Sequence, residues 1–219
     1  MTQTEAREVI LARIRNAVQR SSGDCEQEAA EAAYRRDGAR TPEERLALFV
    51  ERLREYDAQV VVAEPDAVAA TIGEVLRADA DHALPWVVAD GFPADWLAER
   101  PNLLPEAEAG VDELNRCAGV VTTCTLGIAV TGSLVLQHGG GEGKRRTTLV
   151  PDRHLCVIRA SQVVETVPEA FARLALAAQR PLTFISGPSA TADIEMTRIR
   201  GVHGPRRLTV ILAQDRFTR

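Results

Sequence analysis

Several things are scarce in this 219-residue chain, and each scarcity excludes something. Aromatic residues make up 4% of it, and it carries no nucleic-acid motif, so base-stacking platforms are few and no nucleic acid is expected as a partner. No apolar run approaches the ~18 residues a membrane span needs. Charge interrupts the opening stretch MTQTEAREVILARIRNAVQR every few residues, so it lacks the apolar core of a secretory signal and reads as the start of a cytoplasmic chain. Only four cysteines are present, Cys25, Cys117, Cys124 and Cys156, without a Cys-x-x-Cys pair or a histidine at ligand spacing. That pattern excludes a zinc or iron–sulfur site held by this chain alone and leaves small buried thiols. Lysine is the rarest charged residue: Lys144 stands alone against 25 arginines.

The overall charge of −5 hides an uneven distribution. Residues 1–115 hold 24 acidic and 12 basic side chains, whereas 116–219 hold 7 and 14, so the second half is the basic one and is expected to face a small anionic ligand or an acidic partner. With 45% hydrophobic residues the chain can bury one substantial core. The expected organisation is an N-terminal helix and linker over 1–40, followed by an α/β domain over 41–219.

Ile10, Ile14 and Val18 recur at steps of four within Thr4–Arg20, which predicts an amphipathic helix whose stripe is covered by the body or by a second copy, a homo-oligomer. Thr41-Pro42-Glu43-Glu44 predicts a helix start with a capping box. From there helices and short apolar runs alternate: a strand at 60–63, a helix from Val68, a strand at 86–89, a short helix at 93–100, an irregular stretch at 102–110, a helix at 111–117 and a strand at 119–122. Further strands are expected at 133–136, 154–158, 182–185 and 208–212, with a helix at 168–179. This alternation predicts a mostly parallel sheet flanked by helices.

The chemistry-bearing residues converge on LTFISGPSATADIEMTRIRGVHGP, Leu182 to Pro205. Leu182, Phe184 and Ile185 have the character of a buried parallel strand ending at Ser186-Gly187-Pro188. Ser189, Thr191, Asp193 and Glu195 follow at alternate positions, on one face if the segment is extended. A second turn contains Gly201, His203 and Gly204. Ser186, Gly187, Ser189, Thr191 and Gly204 are the candidate binding groups, and Asp193, Glu195 and His203 the candidate catalytic ones, at a crevice beyond the carboxyl ends of strands. A polar loop that merely caps the next element is the plainer reading of the same residues. The carboxylates, hydroxyls and imidazole together would suit a divalent cation, but no metal is assigned.

A second candidate is Gln137-His138-Gly139-Gly140-Gly141-Glu142-Gly143-Lys144-Arg145-Arg146, part of a stretch with six glycines in 17 residues. Backbone N–H groups at Gly140 and Gly141, with Lys144 and Arg145, could cradle an anion, although a surface hairpin explains the composition as well. The hydroxyl of Thr131 and the backbone of Gly132 adjoin this region.

SGPSATADIE followed by GVHGP resembles the C-terminal signature of the lactate-utilisation (LUD) domain family. GIAVTGSLVL from Gly127 and LVPDRH from Leu149 are similar as well, so the resemblance covers the chain from about Thr41 onward. It implies a fold similar to the superfamily of sugar-phosphate isomerases, CoA-transferases and formyltetrahydrofolate cyclo-ligase. It further implies a role in oxidising L-lactate to pyruvate beside two iron–sulfur partner proteins that carry the clusters, with no cofactor assigned to this chain. Relatives often have an acid before the Thr-Gly pair where this chain has Val130. Two rival readings stay open: an ATP-dependent folate ligase, after the cyclo-ligase branch, and a non-catalytic assembly module.

Overall fold

The computed structural model describes residues 3–21, 37–78, 84–97, 102–174, 180–192, 198–201 and 203–215. The chain divides into two units, Met1–Arg35 and Arg36–Arg219. The first contains helix α1 (Gln3–Ser21), which places Ile10, Ile14 and Val18 along one side, as their spacing predicts.

The second unit begins with α2 (Pro42–Glu55), and its start is the capping box expected from sequence. The Glu44 N–H donates to the Thr41 hydroxyl at 3.2 Å, and the Thr41 N–H donates to the Glu44 carboxylate at 2.9 Å. A cap of this kind is worth about 1 kcal/mol. Then come β1 (Gln59–Ala63), α3 (Val68–Arg77), β2 (Trp86–Val88), β3 (Leu103–Pro105), α4 (Val111–Arg116), β4 (Gly119–Thr123), β5 (Leu126–Ile128), β6 (Ser133–Leu136) and α5 (Arg145–Leu149). The chain continues through β7 (Arg153–Arg159), β8 (Val163–Val164), α6 (Val167–Leu174), β9 (Thr183–Ile185), β10 (Ala190–Ala192), β11 (Arg198–Arg200) and β12 (Arg207–Ala213).

Six strands form a wholly parallel sheet in the order β1-β12-β7-β4-β2-β3. Both faces are apolar because the strands alternate. On β7, Leu155 and Val157 join Ile72, Leu76, Val121 and Ile211 on the face covered by α3. Cys156 and Ile158 join Leu134, Leu136, Val210 and Leu212 on the other, under α2 side chains Phe49 and Leu53. A sheet buried on both faces is the condition under which parallel strands occur. The second face is also covered by a four-stranded sheet, β8-β5-β6-β9.

Two expectations are corrected here. The run at 182–185 is not a buried parallel strand: β9 pairs antiparallel with β6 at the end of the smaller sheet. Phe184 is 44% exposed, with its ring 6.0 Å from that of Phe171. The stretch 102–110 is not irregular throughout, since β3 adds an edge strand parallel to β2. Pro105 fits there because an edge strand tolerates a residue with no N–H to donate. Among the described residues, no helix is long and apolar enough to cross a membrane.

Candidate ligand pocket

The two glycine-cornered turns do meet, and Ser189 is the residue that joins them. Its N–H donates to Pro205 O at 2.8 Å, its carbonyl accepts from Gly201 N–H at 2.9 Å, and its hydroxyl accepts from His203 N–H at 3.3 Å. Gly204 lies against it, where a Cβ would stand 3.3 Å from that of Ser189. The first turn needs Gly187 outright: its φ is +85°, and a Cβ would come within 2.6 Å of Tyr56 at the end of α2.

Between these turns, β9 and α5 lies a cavity of about 330 Å³ lined by Arg145, Ser186, Gly187, Ser189, His203 and Gly204 among others. Six of the residues singled out from sequence thus share one pocket. Arg145 is exposed and donates to the Thr183 hydroxyl at 3.0 Å, and Thr183 lies 2.7 Å from His138 Nε2. His138 Nδ1 donates to Gly143 O at 2.8 Å, so in the neutral ring Nε2 accepts the Thr183 proton and Thr183 accepts from Arg145. On the other side, Ser186 is 2.7 Å from Ser133, which is 2.8 Å from Thr131. Thr131 therefore reaches the pocket through two hydroxyls rather than by lining it. Gly132, with φ +57°, turns the chain beneath Arg52 and Leu53 of α2. Thr191 sits on β10, paired with Ile199 of β11. Asp193 and Glu195 lie outside the described residues.

The pocket is not where the sequence places it. His154 and Leu208, both in its wall, are second residues of β7 and β12, so the cavity opens at the amino ends of the parallel strands. The carboxyl ends of β2 and β4 are occupied by the glycine-rich segment itself. Gly141 N–H donates to Asp90 O at 2.7 Å, and its carbonyl accepts from Thr123 N–H at 2.6 Å. Glu142, buried, accepts from the N–H groups of Gln137 at 2.6 Å and Gly139 at 3.3 Å, and from the Thr125 hydroxyl at 2.6 Å.

Glu106, also buried, accepts from Lys144 N–H at 2.6 Å, Asp90 N–H at 3.2 Å and the Thr147 hydroxyl, and so caps the start of α5. Burial pushes the Glu106 carboxyl up, but these donors more than offset it and hold the group below its ordinary range. The segment thus spends its backbone donors within the protein, Gly141 N–H on Asp90 O and those of Gln137, Gly139 and Lys144 on the carboxylates of Glu142 and Glu106. Gly140 and Lys144 stay exposed outside the pocket.

Sequence reasoning missed His154, Glu106, Thr183 and His138. The signal for His154 was a lone imidazole in an otherwise apolar strand, His-Leu-Cys-Val-Ile. It is 2% exposed, its Nε2 lies 2.7 Å from the Thr122 hydroxyl, and its Nδ1 has no hydrogen-bond partner. Burial lowers its pKa to about 4. The thiols of Cys117, Cys124 and Cys156 are free and buried. Burial pushes Cys124 well up, with neighbouring Cys156 adding to it, and raises Cys117 to about 11, which leaves both weak as nucleophiles. Cys25 lies outside the described residues. Among the described residues, no three His, Cys, Asp or Glu side chains stand close enough to hold a metal ion.

Two other hollows fit an anion poorly. A groove of about 1060 Å³ along α2 has an apolar floor of Leu46, Val50, Val62 and Leu212. One of about 480 Å³, at the carboxyl ends of β1 and β12, sets Asp66, Asp95 and Asp215 against Arg159, whose guanidinium lies 4.8 Å over the Trp96 ring.

Residues 38–213 match the LUD domain. The chain is 40% identical over 171 residues to lactate utilization protein C of Deinococcus radiodurans, covering 75% of this chain and 77% of that one. It is 34% identical over 117 residues to lactate utilization protein C of Halalkalibacterium halodurans, covering 51% of this chain and 50% of that one. A crystal structure of a DUF162 family protein from Deinococcus radiodurans superposes with a TM-score of 0.69 at 34% identity, covering 80% of this chain and 99% of the other. The sequence match, the shared parallel sheet and the extent of both place this chain in the LUD domain family.

Proposed function

We propose that this protein serves lactate utilisation, binding a small anionic ligand in the pocket that Ser189 closes, while partner proteins carry the iron–sulfur clusters of the pathway. The relatives named for lactate utilisation support the pathway. The observation that supports the ligand is the assembly of one guanidinium, Arg145, and the hydroxyls of Ser186 and Ser189 around a single cavity. At about 330 Å³ the cavity is at the small end for ligand sites, and it suits a small acid better than a dinucleotide. Arg145 draws the anion and can hold it through two parallel N–H bonds, while the serine hydroxyls donate to its oxygens.

Isothermal titration with L-lactate, pyruvate, nucleotides and CoA esters tests this reading. A small acid is expected to bind, and Arg145→Ala to weaken it at least tenfold. Binding of equal strength in the Arg145→Ala and Ser189→Ala proteins would remove the site.

A further inference from the structure

A neutral imidazole has one N–H to give, and its partners fix which nitrogen of His138 carries it. Gly143 O can only accept, so Nδ1, 2.8 Å away, is the donor. Nε2 is left to accept, and the Thr183 hydroxyl 2.7 Å from it supplies the proton. Arg145 Nη1 donates to the same hydroxyl oxygen at 3.0 Å, and both Thr183 and Arg145 line the cavity. With the ring neutral, therefore, the Thr183 proton is held by His138, and what the oxygen has left for a ligand is a lone pair. A carboxylate is repelled by it. Adding a proton to the ring reverses this: both nitrogens then donate, and the hydroxyl oxygen accepts from His138 and Arg145 at once. Its own proton is released to serve the cavity.

We infer that Thr183 is a further anion-binding group of the pocket and that His138 is the positioning residue that aims its proton, so that binding an anion takes up a proton on His138. This rests on the pocket reading above and adds proton linkage to it. Histidine is the side chain whose ordinary titration falls between pH 5 and 8. Among the described residues, the charged groups around the ring come from four places. Glu142 accepts from the N–H groups on either side of it, those of Gln137 and Gly139, and Glu106 holds the N–H of Lys144 on the same loop. Arg145 shares Thr183 with it, and ahead of β9 Arg180 would stand 2.9 Å from a Cβ at Gly139. Lys144, Arg145 and Arg180 are exposed. An anion seated on Arg145 offsets the repulsion between that guanidinium and an imidazolium bonded to the same hydroxyl. Anion and proton therefore favour each other, by the same factor in both directions. Two other imidazoles line the cavity, buried His154 and exposed His203. His154, with its pKa lowered to about 4, stays neutral over the same pH range, which leaves His203 as the control.

The test is isothermal titration with L-lactate and with pyruvate at pH 5.5 and pH 8, a range over which both probes keep an ionised carboxylate. The wild-type protein is expected to bind about tenfold more tightly at pH 5.5, the worth of one hydrogen bond to a charged group. Titrations at pH 7 in two buffers of different ionisation enthalpy should show protons taken up on binding, a measurement that needs no variant. Thr183→Val should give one affinity at both pH values, and Thr183→Ser should restore the difference. His138→Asn, an exchange suited to the φ of +55° at that position, should also be flat with pH. Near-ultraviolet dichroism at both pH values checks that each variant is native. A pH dependence that survives Thr183→Val, or that vanishes in His203→Asn and not in His138→Asn, overturns the assignment. Wild-type binding that needs Arg145 yet is equal at both pH values and takes up no proton also overturns it, and the anion pocket then stands alone. If neither acid binds at either pH, the pocket reading fails and takes this inference with it.

Discussion

The two ends of the central sheet contrast sharply. At the carboxyl ends of β2 and β4, glycine-rich backbone is pressed against the strands, and Glu106 and Glu142 accept its N–H groups. At the amino ends of β7 and β12, polar groups line an open cavity and a buried imidazole keeps one nitrogen unused. A parallel sheet ordinarily offers its carboxyl ends to ligands, since loops there leave backbone donors free. Here internal carboxylates fill that role. At β2 and β4 two glutamates thus take up backbone donors, while the cavity lined by Arg145, Ser186 and Ser189 lies at the opposite edge.

The strongest way to break this contrast is to remove an internal acceptor. Glu106→Ala leaves the N–H groups of Lys144 and Asp90 and the hydroxyl of Thr147 without it, and is expected to destabilise the protein by about 3 kcal/mol in urea unfolding. The sign with pH follows from the lowered carboxyl: its contribution is present above about pH 4.3 and is lost as pH falls through the folded value. Glu106→Gln should abolish that acid dependence. A wild-type-like midpoint in Glu106→Ala would show that the loop docks without its carboxylate.

The amino end has an acid signature of its own. An unfolded histidine titrates near 6.5, whereas folded His154 titrates at about 4. Between these values the unfolded chain takes up a proton that the folded one refuses, so stability falls as pH is lowered, by up to about 1.4 kcal/mol per pH unit from this residue. Comparing urea unfolding of wild type and His154→Asn between pH 6.5 and 5 should show a flatter slope for the variant. Equal slopes would mean that the ring is protonated in the native state.

The smallest effect comes from a pair of neighbouring glycines. Gly141→Ala sets a Cβ 2.8 Å from the Thr123 hydroxyl at φ +82° and should cost about 1 kcal/mol. Gly140→Ala meets nothing within 4 Å and should shift the unfolding midpoint by less than about 0.5 kcal/mol. If the two behave alike, the loop is not held as described.

Legibility from sequence followed the range of the interactions. The capping box at Thr41, the amphipathic pattern of α3 and the apolar runs of β1, β4, β7 and β12 are local, and each was readable. The glycines at 139–141 were visible too, but not their purpose. Gly139 N–H goes to Glu142 and Gly141 N–H to Asp90 O, while Glu106 holds the N–H of Lys144, 38 residues further on, and no local pattern links these partners. β9 misled because three apolar residues look the same in a buried strand and at the end of a small sheet. The meeting of the two turns was legible because both are cornered by glycine. His154 was not, because a histidine in an apolar strand announces burial without saying that one nitrogen lacks a partner.

One further consequence lies in the row Thr131–Ser133–Ser186. Each contact joins two hydroxyls, and either oxygen of each can be the donor. The row therefore has two polarities, related by turning all three O–H bonds together. In one, Ser186 shows the cavity a free proton, and in the other a lone pair. The rim can thus present either a donor or an acceptor by rotating hydrogens alone, with every heavy atom left in place.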